Sequence, residues 1–334
     1  MQNSEREKRV LIVGDANTDL IVQYPRRLPN GEILYPTPMM TGGGTAANTA
    51  LALSKLGVNV EFMGTVGDDQ NGRYVIDELN SAGVGTGPVI IDRELNTVCV
   101  FAFIDEGGER YLWAWPRERQ SFNELDPAKI SWEAVENADW VHSSGMIAAC
   151  DSSARRSVID IFRRCREMGI TTSFDLNLRV ENNALDISFR DAVLEILEYC
   201  NYVFGSGKEE LYYLAPKPDW RESARELASE CRTIIARMGH DGSAAVTPFQ
   251  WEEERPFPVE VRDTVGAGDV YNAGFIAARL KGKSLRDSII WGNGVASFKV
   301  ARNGSRSAPD LKELSDFLAG FGESINDSII QEEA

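Results

Sequence analysis

The 334-residue sequence contains only two histidines, His142 and His240. A zinc site built on imidazole, or a triad that turns on a histidine base, therefore has little to work with. Its five cysteines (Cys99, Cys150, Cys165, Cys200 and Cys231) are scattered, odd in number and without a C-x-x-C spacing. That pattern favours reduced core thiols over a disulfide framework or a metal cluster, and a cytoplasmic location is the expectation. No apolar run reaches the roughly 18 residues that a membrane helix needs. Residues 1–9 are polar and lack the apolar core of a signal peptide. Positive charge is scarce as well, with 35 Lys and Arg against 51 Asp and Glu and a net charge of −16. Nucleic acid is held by clustered cations, so this balance argues against it. A nucleotide is not excluded, because backbone amides, Mg²⁺ and a few cations suffice for its phosphates.

What is present fits a folded α/β protein. Hydrophobic residues make up 43% and charged residues 26%, and the length allows a large buried core. Apolar runs predict strands at 10–13, 59–66, 140–142, 170–175, 202–204 and 233–237. Helical periodicity predicts helices at 46–56, 72–82, 153–168, 188–199 and 220–230, then at 267–280, 285–300 and 310–321. Strands that alternate with helices imply a mainly parallel sheet covered on both faces. Residues 18–40, with Pro25, Pro29 and Asn30-Gly31, and residues 97–115 break this rhythm. Both read as hairpins outside the main sheet, forming a small β lid. No Pro- or Gly-rich linker divides the chain, so one domain over 9–321 is expected, with a frayed acidic tail at 322–334.

Asp263-Thr264-Val265-Gly266-Ala267-Gly268-Asp269, directly before a strong helical pattern, is the most informative stretch. Two glycines let the backbone approach an anion, and a helix start supplies amides and partial positive charge. Asp269 in that first turn stands beside the bound phosphate, where a base for a hydroxyl nucleophile belongs. The alternative is a tight turn whose Asp merely complements the helix dipole. Gly282-Lys283-Ser284 imitates the end of a Walker A loop, but position 277 is Ala where that motif needs Gly. Its place after a helix makes Gly282 a C-cap instead. A second glycine-rich stretch, Gly42-Gly43-Gly44-Thr45-Ala46-Ala47-Asn48, opens an apolar helix. A third element, Gly14-Asp15-Ala16-Asn17-Thr18-Asp19, follows the first strand, where open α/β sheets bind ligands. Either could equally be a packing loop or a solvated turn.

Taken in order, these three elements resemble the ribokinase-like, or PfkB, family of carbohydrate kinases. Residues 14–19 and 43–48 look like its substrate motifs, and 263–269 matches its D-T-x-G-A-G-D phosphate motif. The resemblance implies a ribokinase-like three-layer sandwich with a β lid, and an ATP-dependent sugar kinase using Mg²⁺. Asp269 would be the base, and the amides of Gly266, Ala267 and Gly268 the anion hole. Asp19 would hold sugar hydroxyls, with Asn17, Gly43, Gly44, Thr45 and Asn48. The segment Arg237-Met238-Gly239-His240-Asp241-Gly242 looks like the nucleotide loop, giving Arg237, Gly239, Gly242 and Thr264 to the nucleotide, with Asn293 near the adenine. A monovalent cation such as K⁺ is implied, with Asp263, Val265, Val300 and Gly304 as ligands. The family's N-x-x-E motif reads Ser206-Gly207-Lys208-Glu209 here, so Ser replaces Asn and Glu209 is left to meet Mg²⁺ through water.

Residues 174–179 resemble the D-x-N-x-R segment of fructokinases and 2-keto-3-deoxygluconate kinases, so Arg179 is expected on a substrate carboxylate or hydroxyls. Thr45 stands where ribokinases themselves often carry Lys. A ketohexose or a 2-keto-3-deoxy sugar acid with a primary hydroxyl is the favoured substrate, with a nucleoside as the alternative. A non-catalytic sugar-binding regulator on the same fold would lack the base or the glycines, and both are present. Arg110, Tyr111, Trp113, Trp115 and Arg117 fall on the supposed lid. Exposed lid strands need covering, which makes a homodimer the expected assembly.

Overall fold

The computed structural model describes residues 7–324 except 106, 108 and 181, and the expected frayed tail falls outside the described residues from 325 onward. The first strand, Arg9–Val13, is apolar after its first residue rather than alternating. A strand covered on both faces needs that composition. Its side chains divide by parity between two cores. Val10 and Ile12 pack with the helices Thr45–Lys55, Ala267–Leu280 and Leu285–Val300 on one face. Leu11 and Val13 pack with Ser153–Met168 and Ile187–Leu197 on the other.

Eight strands form the main sheet, in the order Trp251–Glu254, Ser243–Val246, Thr233–Arg237, Tyr202–Ser206, Thr171–Asp175, Trp140–Ser144, Arg9–Val13, Asn59–Met63. The last six run parallel, and the first two add an antiparallel edge that the sequence pattern did not announce. The expected strand 59–66 is interrupted at Gly64, where a Cβ would lie 2.3 Å from the Gly14 carbonyl. Beyond it Thr65–Gly67 pairs instead with Ile90–Asp92.

The lid is a separate four-stranded sheet in the order Arg110–Trp115, Cys99–Ile104, Asn17–Gln23, Met39–Gly43. Its outer pairs are antiparallel, but Asn17–Gln23 and Cys99–Ile104 run parallel. The two expected hairpins are thus fused through a parallel central pair. Residues 26–34 carry a further small ladder, Arg26–Arg27 with Ile33–Leu34.

Candidate active site

The six parallel strands end on one side of the sheet, and a cavity of about 650 Å³ opens over their carboxyl ends. Open α/β sheets bind ligands in this position. It is lined by Asn17, Asp19, Gly44, Thr45, Asn48, Arg179, Ser206, Glu209, Arg237, Val265, Gly266, Gly268 and Asp269. Most of the residues singled out from sequence, which lie as far as 250 positions apart, therefore meet at one place.

Gly266 starts the helix Ala267–Leu280 with φ of 78°, and no side chain caps that start. The positive end of the helix is left for an anion, with the Ala267 amide alone turned back onto the Thr264 carbonyl. That positive φ favours glycine at 266, and a Cβ at either glycine would be crowded. A Cβ at Gly266 would sit 3.0 Å from Ser305 Cβ, and one at Gly268 would sit 2.8 Å from Arg237 Nη1. Asp269 follows in the first turn. Burial, with Asp175 and Asp15 nearby, pushes its carboxyl up to about 8, although Asn48 and Arg237 act in the other direction. The Asn48 amide donates to Asp269 Oδ2 at 2.8 Å, and Thr49 Oγ1 donates to the Asp269 carbonyl at 3.2 Å.

Asn48 is itself oriented from behind. Arg306 Nε donates to Asn48 Oδ1 at 3.2 Å, so the amide must turn its hydrogens toward Asp269. Arg306 also donates to the Gly43 carbonyl at 3.0 Å and pairs with Glu78. No motif marked Arg306; a lone arginine in a polar loop reads as surface.

Asp15 caps the helix Thr45–Lys55 from thirty residues away, accepting from Thr45 N at 2.9 Å and Ala46 N at 3.1 Å. Asp19, on the lid, accepts from Asn17 Nδ2 at 2.7 Å, and burial pushes its carboxyl to about 6. Gly43 is required here because a Cβ would lie 2.6 Å from Asn17 Nδ2 and 2.7 Å from the Asp19 carboxylate. Asn177 Nδ2 donates to Thr45 Oγ1 at 3.0 Å. Arg179 stands at the cavity mouth with a terminal nitrogen 2.8 Å from Met146 Sδ, and no carboxylate among the described residues pairs with it.

Beneath the anion site, Arg237 makes a forked pair with Asp175, at 3.0 and 2.6 Å, and donates to Asn272 Oδ1 at 3.0 Å. Asn272 in turn donates to Asp175 Oδ2 at 2.7 Å. The acid turned into this cluster is Glu210, not the adjacent Glu209. Glu210 accepts from Ser206 N and Leu178 N, both at 2.6 Å, and burial raises its carboxyl above the usual range. The sequence segment 206–210 offered two neighbouring acids, and only the fold selects between them.

The nucleotide-side residues lie further out. Gly239 and Gly242 bound a short turn, both at positive φ. A Cβ at Gly242 would meet the Glu254 carbonyl at 2.0 Å. His240 and Asp241 in that turn, with Lys208 and Trp220, line a second cavity of about 670 Å³. Thr264 is exposed, and its carbonyl accepts from Ala267 N at 3.1 Å. Asn293, expected at the adenine, is committed inside the protein. Its Oδ1 accepts from Ser243 Oγ at 3.0 Å, and its Nδ2 donates to the carbonyls of Glu254 and Arg255 at 3.2 and 3.3 Å.

Among the described residues no three acids, histidines or cysteines gather to hold a metal. Glu209 at the cavity wall fits a Mg²⁺ ion that arrives with nucleotide phosphates and keeps most of its waters. A monovalent cation fits its expected ligands poorly. The Val300 carbonyl accepts from Arg262 N at 2.7 Å and Asp263 N at 3.1 Å. The Asp263 carboxylate accepts from Val265 N at 3.1 Å and Gly304 N at 3.0 Å. The Asp263 carbonyl already holds the Lys299 ammonium at 2.7 Å.

Comparison with known proteins agrees with this geometry. The chain is 30% identical to an ATP-dependent ribose-1-phosphate kinase of Halopiger xanaduensis, over 93% of this chain and 98% of that protein. It is 27% identical to a fructokinase of Vibrio alginolyticus, over 93% of this chain and 99% of that one. The fold matches a crystal structure of fructokinase with bound ATP from Xylella fastidiosa with a TM-score of 0.80. That match has 22% identity and covers 95% of this chain and all of that one. The model of the pfkB family carbohydrate kinases matches residues 7–312, and this chain belongs to that family.

Proposed function

We propose that this carbohydrate kinase transfers the γ-phosphoryl group of ATP to a primary hydroxyl of a sugar or sugar acid, with Asp269 as the general base. The observation that carries the reading is the placing of Asp269, at the uncapped start of a helix, in the cavity over the strand ends, with its carboxyl pushed up to about 8. Once ionised, a carboxylate of that proton affinity is a stronger base than an ordinary one and accepts a hydroxyl proton more readily. In the step proposed, the acceptor oxygen attacks the γ-phosphorus as the bond to the β-γ bridging oxygen breaks. ADP leaves with that electron pair, and Asp269 takes the proton. The amides of Gly266, Ala267 and Gly268 meet charge on the transferring group, that of Ala267 by leaving the Thr264 carbonyl, and Mg²⁺ when bound would neutralise charge on the nucleotide phosphates. Ser206, Glu209, Arg237, Thr264 and the turn Gly239–Gly242 form the nucleotide side.

Asn17, Asp19, Gly43, Gly44, Thr45 and Asn48 hold the acceptor's hydroxyls. Arg179, a forked cation without a carboxylate partner among the described residues, favours an acceptor that carries negative charge. A 2-keto-3-deoxy sugar acid suits that best, and a ketohexose remains in the favoured class. A second reading, a sugar 1-phosphate, is supported by the relative named as a ribose-1-phosphate kinase. The enzyme works in the cytoplasm, as a homodimer joined through the lid.

An ADP-release assay with Mg-ATP tests the reading across ketoses, aldoses, sugar acids, sugar 1-phosphates and nucleosides. One acceptor class should turn over, and Asp269→Asn should lower kcat by ~10²–10⁴-fold while sugar still binds by calorimetry. Near wild-type turnover in that variant would remove Asp269 as the base.

A further inference from the structure

We propose that Lys299 is a built-in cation that stands in for an exchangeable monovalent ion beside the anion site, so that the enzyme needs no K⁺. This rests on the kinase reading above. Lys299 lies in the last turn of the helix Leu285–Val300 and is 0% exposed. Lysine is almost never fully buried unless paired, because an uncompensated ammonium is expensive to remove from water. Here the ammonium donates to the Asp263 carbonyl at 2.7 Å and lies 3.9 Å from Asp263 Oδ1.

Asp263 begins the loop that ends at Gly266. Its carboxylate ties that loop to Gly304 N, and Gly266 packs on Ser305. A positive charge under Asp263 therefore fixes the two segments that shape the anion hole. A K⁺ ion bound at Asp263 would sit close to this ammonium, and two like charges so near each other repel strongly in a dry interior. Three other expected oxygen groups are also engaged, the Val300 carbonyl by two amides, the Asp263 carboxylate by two others and the Gly304 carbonyl by Ser307 Oγ at 2.9 Å. A tethered ammonium supplies the charge without the entropy of capturing an ion. Lys299 is a positioning residue, acting through the loop rather than on the substrate.

The test compares chloride salts of K⁺, Na⁺ and tetramethylammonium at constant ionic strength, reading melting temperature and turnover. The wild-type protein should show the same values in all three, and this arm needs no variant. Lys299→Ala should lower kcat by ~10–10²-fold through loss of loop geometry. Ammonium or methylammonium, but not tetramethylammonium, should restore part of that loss. Lys299→Met, which keeps the bulk without the charge, should show the same fall if the Ala variant fails to fold. A K⁺-specific rise in wild-type melting temperature or rate would overturn the proposal, and so would full turnover in either variant. If no acceptor turns over in any salt, the kinase reading fails, and the melting arm still decides the cation.

Discussion

Asp269 and Asp19 are both carboxyls lifted by burial, the first to about 8 and the second to about 6. The ligand-free enzyme therefore holds Asp269 largely protonated at neutral pH, and kcat/KM should climb as pH rises through about 8. The same proton leaves a mark on stability. Unfolded, Asp269 releases its proton near its ordinary value of 3.8, whereas the folded chain keeps it up to about 8. Between those values the folded state binds more protons, so this residue's contribution to stability falls as pH rises. Asp269→Asn, which never charges, should melt close to wild type at pH 4 and above it at pH 8. Equal differences at both pH values, read by scanning calorimetry, would show that burial does not strain this carboxyl. Asp269 was legible in the sequence because glycines and a helix start announce a phosphate loop. Glu210 was not, since only burial distinguishes it from Glu209, and Lys299 was not, since nothing local marks a lysine as buried.

At the scale of elements, residues 299–306 join parts that the chain keeps far apart. Lys299 and Gly304 hold Asp263, Ser305 packs on Gly266, and Arg306 reaches Asn48, Gly43 and Glu78. Glu78 lies on the helix Gln70–Ser81, where Tyr74 also donates to the Met40 carbonyl of the lid at 3.2 Å. Arg306→Lys keeps the charge but loses the fork that serves three partners at once. Its kcat should drop ~10-fold or more as Asn48 loses its orientation, with the KM for ATP unchanged. Steady-state kinetics decide it, and an unchanged kcat would reduce Arg306 to a structural prop. The helices at 153–168, 267–280 and 285–300 were legible to the residue, since long periodic patterns carry their own boundaries. The edge strands Ser243–Val246 and Trp251–Glu254 were not, because one is mostly small residues and the other mostly glutamate, and neither forms the bulky apolar run that marks the inner strands.

For the whole molecule, two features oppose each other. The outer strand of the lid leaves Tyr111, Trp113 and Trp115 half exposed, with Trp113 packed at 5.4 Å on Phe101 of the next strand. Such a surface favours a partner. The net charge of −16 opposes self-association unless salt screens it. The proposed dimer should therefore tighten as ionic strength rises, and Trp113→Glu should shift it toward monomer in sedimentation velocity. A dimer that loosens with salt would place the interface among charged residues instead.

The lid also leaves the main body by very short tethers. Only residues 14–16 separate the strand Arg9–Val13 from the lid strand Asn17–Gln23, and only Gly44 separates Met39–Gly43 from the helix Thr45–Lys55. The two tethers touch, since a Cβ at Gly44 would lie 2.6 Å from the Asp15 carbonyl. Three extended residues reach about 10 Å at most, so the lid can rock about a fixed pivot but cannot swing clear of the body. An acceptor that must enter without the lid lifting away is expected to be small, so a free sugar should turn over while an oligosaccharide bearing the same hydroxyls should not, which the same ADP-release assay reads.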